Sequence, residues 1–183
     1  MDQIRKKFLK WKKHSKDIHR DELFHEIWEV YHPKLQVYIK NFQKNFDDHE
    51  DLVSDILLHI FESIHRYNDN YSFSTWLYTV ARNYQIDMMR KKKNPIENID
   101  DHLLSNENTP ESIMEKNTQQ EMIREAVSKL SSVDKELIFL HYYEELKYRE
   151  ISEITGIPEG TIKYRMWENK KNLKKNLERS LVL

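Results

Sequence analysis

Six cations, Lys163, Arg165, Lys170, Lys171, Lys174 and Lys175, fall on one predicted helix, about residues 159–178. Cations at helical spacing neutralise phosphates, and the first residues of such a helix can face base edges in a major groove. A second stretch, "YSFSTWLYTVARNYQIDMMRKKK" (71–93), mixes aromatic rings with Arg82, Arg90 and a run of lysines. Rings beside cations are what unstacked bases need, a π-face to stack on and charge for the backbone. An aromatic stripe at helical spacing also suits a core, so Trp76 and Tyr84 fit either role. Covalent chemistry is not indicated. Both glycines of the chain lie in "EISEITGIPEGTIKYRM" (150–166), which leaves none for a P-loop, a dinucleotide fingerprint or a nucleophile elbow. There is no cysteine, and the nine histidines form no HExxH. Neither an enzyme, a metal site nor a cofactor is expected.

The cationic helix needs an element to present it. Ile151, Ile154, Ile157, Ile162 and Met166 keep an apolar register, and Ser152 is small where a second helix could cross. Gly156 suits a left-handed stop, and Pro158 can open a helix but not continue one. This is the pattern of a helix-turn-helix, or of an ordinary helical hairpin with a glycine cap. Gly160, in the first turn of the second helix, would permit close approach of another helix or of DNA.

Upstream, "EDLVSDILLHIFESI" (50–64) carries Leu52, Val53, Ile56, Leu57, Ile60, Phe61 and Ile64 over about 180° of its circumference. A single core face needs little more than 100°. Leu58 adds apolar surface beside Asp51, Asp55 and Glu62. The excess suits either a protein partner or burial between two helices. Residues 94–108, "NPIENIDDHLLSNEN", read as a linker, and Thr109-Pro110-Glu111 reads as the start of a helix to about 130. Ser131 and Ser132 interrupt it, and Asp134 opens another run.

Few glycines and prolines, 33% charged residues and no alternating strand pattern predict an all-α chain of two helical domains joined by a flexible acidic linker. The boundaries fall at 1–20 (a mobile basic tail), 21–93, 94–118 and 119–183. Net charge is −1, yet it alternates in blocks: +6 over 1–20, −7 over 21–70, +4 over 71–93, −6 over 94–125 and +5 over 160–183. The two later basic blocks suit two separate phosphate-binding surfaces. No apolar run is long enough to span a bilayer and no secretory leader is visible, so a cytoplasmic protein is expected.

Four stretches in order resemble bacterial sigma factors of the extracytoplasmic-function (ECF) group: "YHPKLQVYIKN" (31–41), "DDHEDLVSDILLHIF" (47–61), "FSTWLYTVARNYQIDMMR" (73–90) and "YREISEITGIPEGTIKYRM" (148–166). The resemblance implies a transcription initiation factor whose partners are core RNA polymerase and promoter DNA, duplex and single-stranded. Polymerase docking would use Asp51, Leu52, Asp55, Ile56 and His59. Asn68, Asn70, Tyr71, Phe73, Trp76, Arg82, Asn83 and Arg90 would hold the melted −10 strand. Arg149, Glu159, Gly160, Thr161, Lys163, Tyr164, Arg165 and Trp167 would engage the −35 duplex. The two elements, some 17 base pairs apart, are separated by about 58 Å. Anti-sigma inhibitors are common in the family, and these residues identify none. Ser54, Glu145 and Glu168–Asn169 depart from the family pattern; glycine is common at 145. The rival reading is a stand-alone helix-turn-helix regulator, which would bury the 50–64 helix in its own core or dimer.

Overall fold

The structure, a computed structural model, describes residues 4, 6–9, 17–42, 49–92, 123 and 125–180. The expected linker, 94–108, and the start of a helix at 109–111 lie outside the described residues. Among the described residues every regular element is helical. Three longer helices form the first cluster: α1 (Asp17–Phe42), α2 (His49–Glu62) and α3 (Phe73–Lys92), with a 3-10 turn at Ile64–Arg66. The second cluster contains α4 (Ser132–Ile138), a π turn (Phe139–Tyr143), α5 (Tyr148–Thr155) and α6 (Glu159–Ser180). No helix among the described residues is long and apolar enough to cross a membrane.

The stripe Leu23, Ile27, Tyr31, Leu35, Tyr38 and Ile39 recurs every three or four positions and is buried along α1. Pro33 sits inside this helix, where it withholds one backbone donor. Leu52, Val53, Ile56, Leu57 and Ile60 of α2 pack against the stripe. The basic segment before residue 20 departs from the expectation of a mobile tail. Ile4 and Phe8 are buried, Phe8 meets Tyr67 edge-on at 4.9 Å, and Lys7 pairs with Glu26 at 2.6 Å. Two apolar residues four apart anchor a segment whose composition alone suggests solvent.

In the second cluster Ser131 caps α4, its hydroxyl accepting from the Asp134 amide at 3.1 Å. The helix therefore opens two residues before Asp134, since the serine thought to interrupt it is its cap. The π turn closes with the Glu144 amide donating to the Phe139 carbonyl at 3.1 Å. The chain leaves it through Glu145, a non-glycine residue at φ 56°. α5 starts where the Lys147 amide donates to Glu150 Oε2 at 3.0 Å, and it ends at Gly156, φ 73°, whose amide donates to the Ser152 carbonyl. The left-handed stop is where the sequence puts it. Gly160 differs: a Cβ there would meet nothing within 4 Å, so no neighbouring helix requires it.

The clusters are not independent. α3 packs on α5, α1 packs on α4, and buried residues of both clusters form a continuous apolar core. Tyr78 illustrates the consequence. It is fully buried, because Phe139 of the second cluster and Tyr38 of α1 cover it.

Left-handed backbone costs an L-residue about 1–2 kcal/mol. Glu145→Gly should therefore raise stability by about 1 kcal/mol, and Gly156→Ala should lower it by about 1–2 kcal/mol. Urea unfolding midpoints at unchanged slope measure both.

Candidate functional site

The residues singled out by sequence fall on three surfaces. On α2 the pattern splits. Asp51, Asp55, Leu58 and His59 face outward, and Leu58 is 49% exposed. Leu52 and Ile56 are buried, at 4% and 0% exposure, and pack into the chain's own core. They therefore hold the helix in place and do not present a docking surface. The family resemblance put Asp51, Leu52, Asp55, Ile56 and His59 together on one polymerase-facing patch. The roughly 180° apolar arc is instead consumed by packing on both sides, with α1 and α3. Ser54, one of the family departures, spends its hydroxyl on the Glu50 carbonyl at 3.0 Å.

The second surface is the loop before α3. Tyr67 is buried against Phe8, Phe73 and Trp76, and its hydroxyl donates to the Tyr71 carbonyl at 2.8 Å. The Asn70 amide donates to Asn68 Oδ1 at 3.1 Å, closing a side-chain turn. Ser72 Oγ accepts from the Thr75 amide at 3.2 Å and starts α3. These bonds leave Asn68, Asn70 and Tyr71 exposed at a pinned loop. Phe73, expected beside them, is buried and supports the loop from beneath. Beside it an open cavity of about 450 Å³ is lined by His59, Arg66, Trp76, Asn83, Tyr84 and Lys91, among others. It joins a residue of the α2 group to residues of the −10 group, with two aromatic faces and two cations in one concavity. Arg90 is exposed, 3.8 Å from Asp87.

The third surface is α6. Tyr164 and Trp167 are each 59% exposed, with Lys163, Lys170 and Lys171 on the same open side. Lys163 pairs with Glu159 at 2.8 Å and Lys171 lies over the Trp167 ring. Arg149, Gly160 and Thr161 are exposed. Arg165 is set apart, because Asp134 of α4 holds its guanidinium at 3.2 Å. It joins α6 to α4 and is not on the open face. Asn169 is buried and Glu168 exposed.

Arg82 also departs from its expected position. Its Nε donates to Glu136 Oε1 at 3.2 Å, and the Tyr38 hydroxyl donates to the same oxygen at 2.6 Å. Lys34 Nζ donates to Glu144 Oε2 at 3.1 Å, and Thr75 Oγ1 donates to Glu150 Oε1 at 3.2 Å. Sequence reading missed Glu136, Glu144, Lys34 and Tyr38. The available signal was two acids bracketing the apolar run 137–143, since an acid in such company is rarely buried without a partner. Burial holds the Glu144 carboxyl above its usual range, partly offset by Lys34. Among the described residues no three His, Asp or Glu side chains converge as a metal site would need.

Three tyrosines line this junction. Burial pushes the Tyr31 phenol up to about 12, and burial next to Glu136 and Glu144 pushes Tyr38 and Tyr78 up further. A raised folded-state value means stability that is complete below the ordinary value of 10.0 and lost as pH climbs through the folded value. Stability should therefore fall above pH 10.0, by about 2 kcal/mol from Tyr31 alone by pH 12. In a spectrophotometric titration, phenolate from this cluster should appear only together with unfolding. On α2, Ile56→Ala should cost about 2–5 kcal/mol in a denaturation series, whereas Asp55→Ala should stay within about 0.5 kcal/mol.

Comparison with known proteins gives the family. The family models Sigma-70 region 2 and Sigma-70, region 4 match residues 27–94 and 120–166. The ECF RNA polymerase sigma factor SigW of Bacillus subtilis (strain 168) is 29% identical, over 95% of this chain and 96% of that protein. The ECF RNA polymerase sigma factor RpoE of Cereibacter sphaeroides is 29% identical, over 81% of this chain and 83% of its own length. Two solved structures share the fold. The sigma factor RpoE of Bartonella quintana, in complex with the anti-sigma factor NepR, superposes with a TM-score of 0.63 at 24% identity, covering 85% of this chain and 96% of that one. CnrH in complex with the cytosolic domain of CnrY gives 0.57 at 16% identity, covering 87% and 90%. Both family regions, in order and spanning two helical clusters, identify the chain as a member of the ECF RNA polymerase sigma factors.

Proposed function

We propose that this chain binds core RNA polymerase and directs it to promoters by reading melted −10 and duplex −35 DNA. Sigma factors are not enzymes, and binding alone carries this role. The observation that carries the polymerase reading is the outward face of α2. Asp51, Asp55, Leu58 and His59 are exposed, with Leu58 apolar among acids. A stand-alone regulator would cover that face. Within the first domain, 21–93, the pinned loop with Asn68, Asn70 and Tyr71, and the adjoining cavity with Trp76 and Asn83, would take unstacked bases. Unstacking costs a few kcal/mol, which stacking at about 1–3 kcal/mol per base offsets. Within the last domain, 119–183, α5 and α6 would act as a helix-turn-helix. Lys163, Tyr164 and Trp167 would face the groove, and Arg149 and Thr161 would lie beside its phosphates. The segment 94–118 would connect the two. An anti-sigma factor is a further proposed partner, a reading supported by the fold shared with a sigma factor held by NepR.

Run-off transcription tests the reading. The chain, mixed with bacterial core polymerase and fragmented genomic DNA of its host, should produce discrete RNA 5′ ends that share two upstream elements. Absence of polymerase binding would favour the regulator instead. Asp51→Arg should weaken polymerase binding at least about tenfold, or about 1.4 kcal/mol, with the helical circular dichroism unchanged. Wild-type affinity in that variant would remove α2 from the docking surface.

A further inference from the structure

The loop Asn68–Tyr71 lies between the 3-10 turn and α3 and belongs to no helix. Such a loop is mobile unless side chains tie it down. Two of its bonds are internal. The Asn70 amide donates to Asn68 Oδ1 at 3.1 Å, and the Tyr71 amide donates to the Asn68 carbonyl at 3.3 Å. Bonds of this kind shape the turn but do not fix it to the protein. The Tyr67 hydroxyl does, by donating to the Tyr71 carbonyl at 2.8 Å from a buried ring. The position of the loop therefore follows the position of that ring.

Three rings locate Tyr67. Phe73 lies at 5.3 Å and Trp76 at 5.4 Å, and both belong to α3, the helix into which the loop leads. Phe8 lies closest, edge-on at 4.9 Å, and comes from the basic N-terminal segment. Edge-to-face pairs of this spacing are favourable and directional. Removing Phe8 leaves a void beside Tyr67, and a close-packed interior relaxes only partly into such a void. A ring shift of about 1 Å would carry the hydroxyl beyond hydrogen-bond range of the Tyr71 carbonyl.

The segment is fastened so as to deliver this one ring. Ile4, one helical turn before Phe8, is buried on the same face. Lys7 reaches Glu26 of α1 at 2.6 Å. Lys6 and Leu9 face outward. Phe8 itself is 0% exposed and cannot touch DNA.

We propose that Phe8 is a positioning residue for the melted −10 strand, which it serves through Tyr67 by holding the loop Asn68–Tyr71 in register. This rests on the promoter reading above for its consequence, though not for its geometry. The N-terminal segment thereby becomes part of the strand-binding machinery without contacting the strand.

Two measurements test the role. The first, on the free chain, is the backbone order of residues 68–71 by 15N relaxation. Order parameters should be near about 0.85 in the wild type and fall below about 0.6 in Phe8→Ala. Phe8→Leu, which keeps apolar bulk but no ring edge, should shift them in the same direction with the fold retained. The second uses the chain bound to core polymerase and a fluorescein-labelled single strand carrying the −10 element mapped by run-off transcription. Phe8→Ala and Tyr67→Phe should each weaken strand binding about tenfold, with polymerase and −35 duplex affinity unchanged. Because both act through one hydroxyl, the double variant should be no weaker than either single one. Ile39→Ala, a truncation elsewhere in the same core, should leave loop order and strand affinity as in the wild type. A loop already disordered in the wild type would overturn the role. So would wild-type order and affinity in a folded Phe8 variant, additive losses in the double variant, or an equal loss in Ile39→Ala. If the wild-type complex binds no −10 strand, the promoter reading falls and takes the role with it, while the order parameters still report the Phe8–Tyr67 coupling by itself.

Discussion

A carboxylate that leaves water must take its partners with it. Moving an unpaired charge into a protein interior costs several kcal/mol even after relaxation, and a buried pair recovers this only when its remaining hydrogen bonds are met. Glu136 and Glu144 find partners only because the two helical clusters touch. Glu136 accepts from Tyr38 and Arg82, and Glu144 accepts from Lys34 through Oε2 while its Oε1 has that ammonium as an ion-pair partner without a hydrogen bond, all from the first cluster. The Tyr78 hydroxyl, buried beside Glu144, has no hydrogen bond of good geometry. The junction is therefore specified by a few exacting polar contacts around an apolar seam of Tyr38, Tyr78 and Phe139. Such a junction defines one arrangement well and is costly to leave half-made.

The rest of the molecule is arranged to serve that junction and the surfaces around it. α1 carries its apolar stripe on one side and Lys34 beside it, so one helix supports both α2 and α4. The π turn at Phe139–Tyr143 and the left-handed Glu145 sit at the far acid. An extra backbone residue in the turn redirects the chain between Glu144 and α5, and π geometry of this kind recurs where a helix must reposition one side chain. Glycine would relieve the strain at 145, and the family commonly has it there. Here a glutamate holds the conformation, and Leu146 is pinned beside it by its amide on the Leu140 carbonyl.

Nucleic-acid recognition needs rigid support under exposed polar groups. The loop at 68–71 has it: four aromatic side chains, Phe8, Tyr67, Phe73 and Trp76, pack below while Asn68, Asn70 and Tyr71 remain open. α6 has it through Ile162 and Met166, buried on the side opposite Tyr164 and Trp167, and through Arg165 fastened to Asp134. In both places the residues nearest the proposed DNA-facing surface divide into those that touch solvent and those that hold them still.

Local rules made much of this legible from the chain itself. Helical periodicity marks α1, α2 and α3, and a glycine marks the left-handed stop at 156, whereas the serine read as an interruption at 131 proved to be a cap. Each depends only on residues a few positions apart. Asp51, Asp55, Asn68, Tyr71, Lys163, Tyr164 and Trp167, which the family resemblance puts forward, are all exposed. What the chain alone does not carry is which side of an element a distant segment covers. Leu52, Ile56 and Phe73 turned inward, Tyr78 was covered by Phe139 of the second cluster, and Phe8 was drawn from a basic segment into the core. Arg82 and Arg165 were claimed by Glu136 and Asp134, 54 and 31 residues away. A cation on a helix looks the same in sequence whether its partner is a phosphate or a carboxylate. Only the tertiary structure, by bringing the carboxylate within hydrogen-bond distance, decides which one it meets in the free chain.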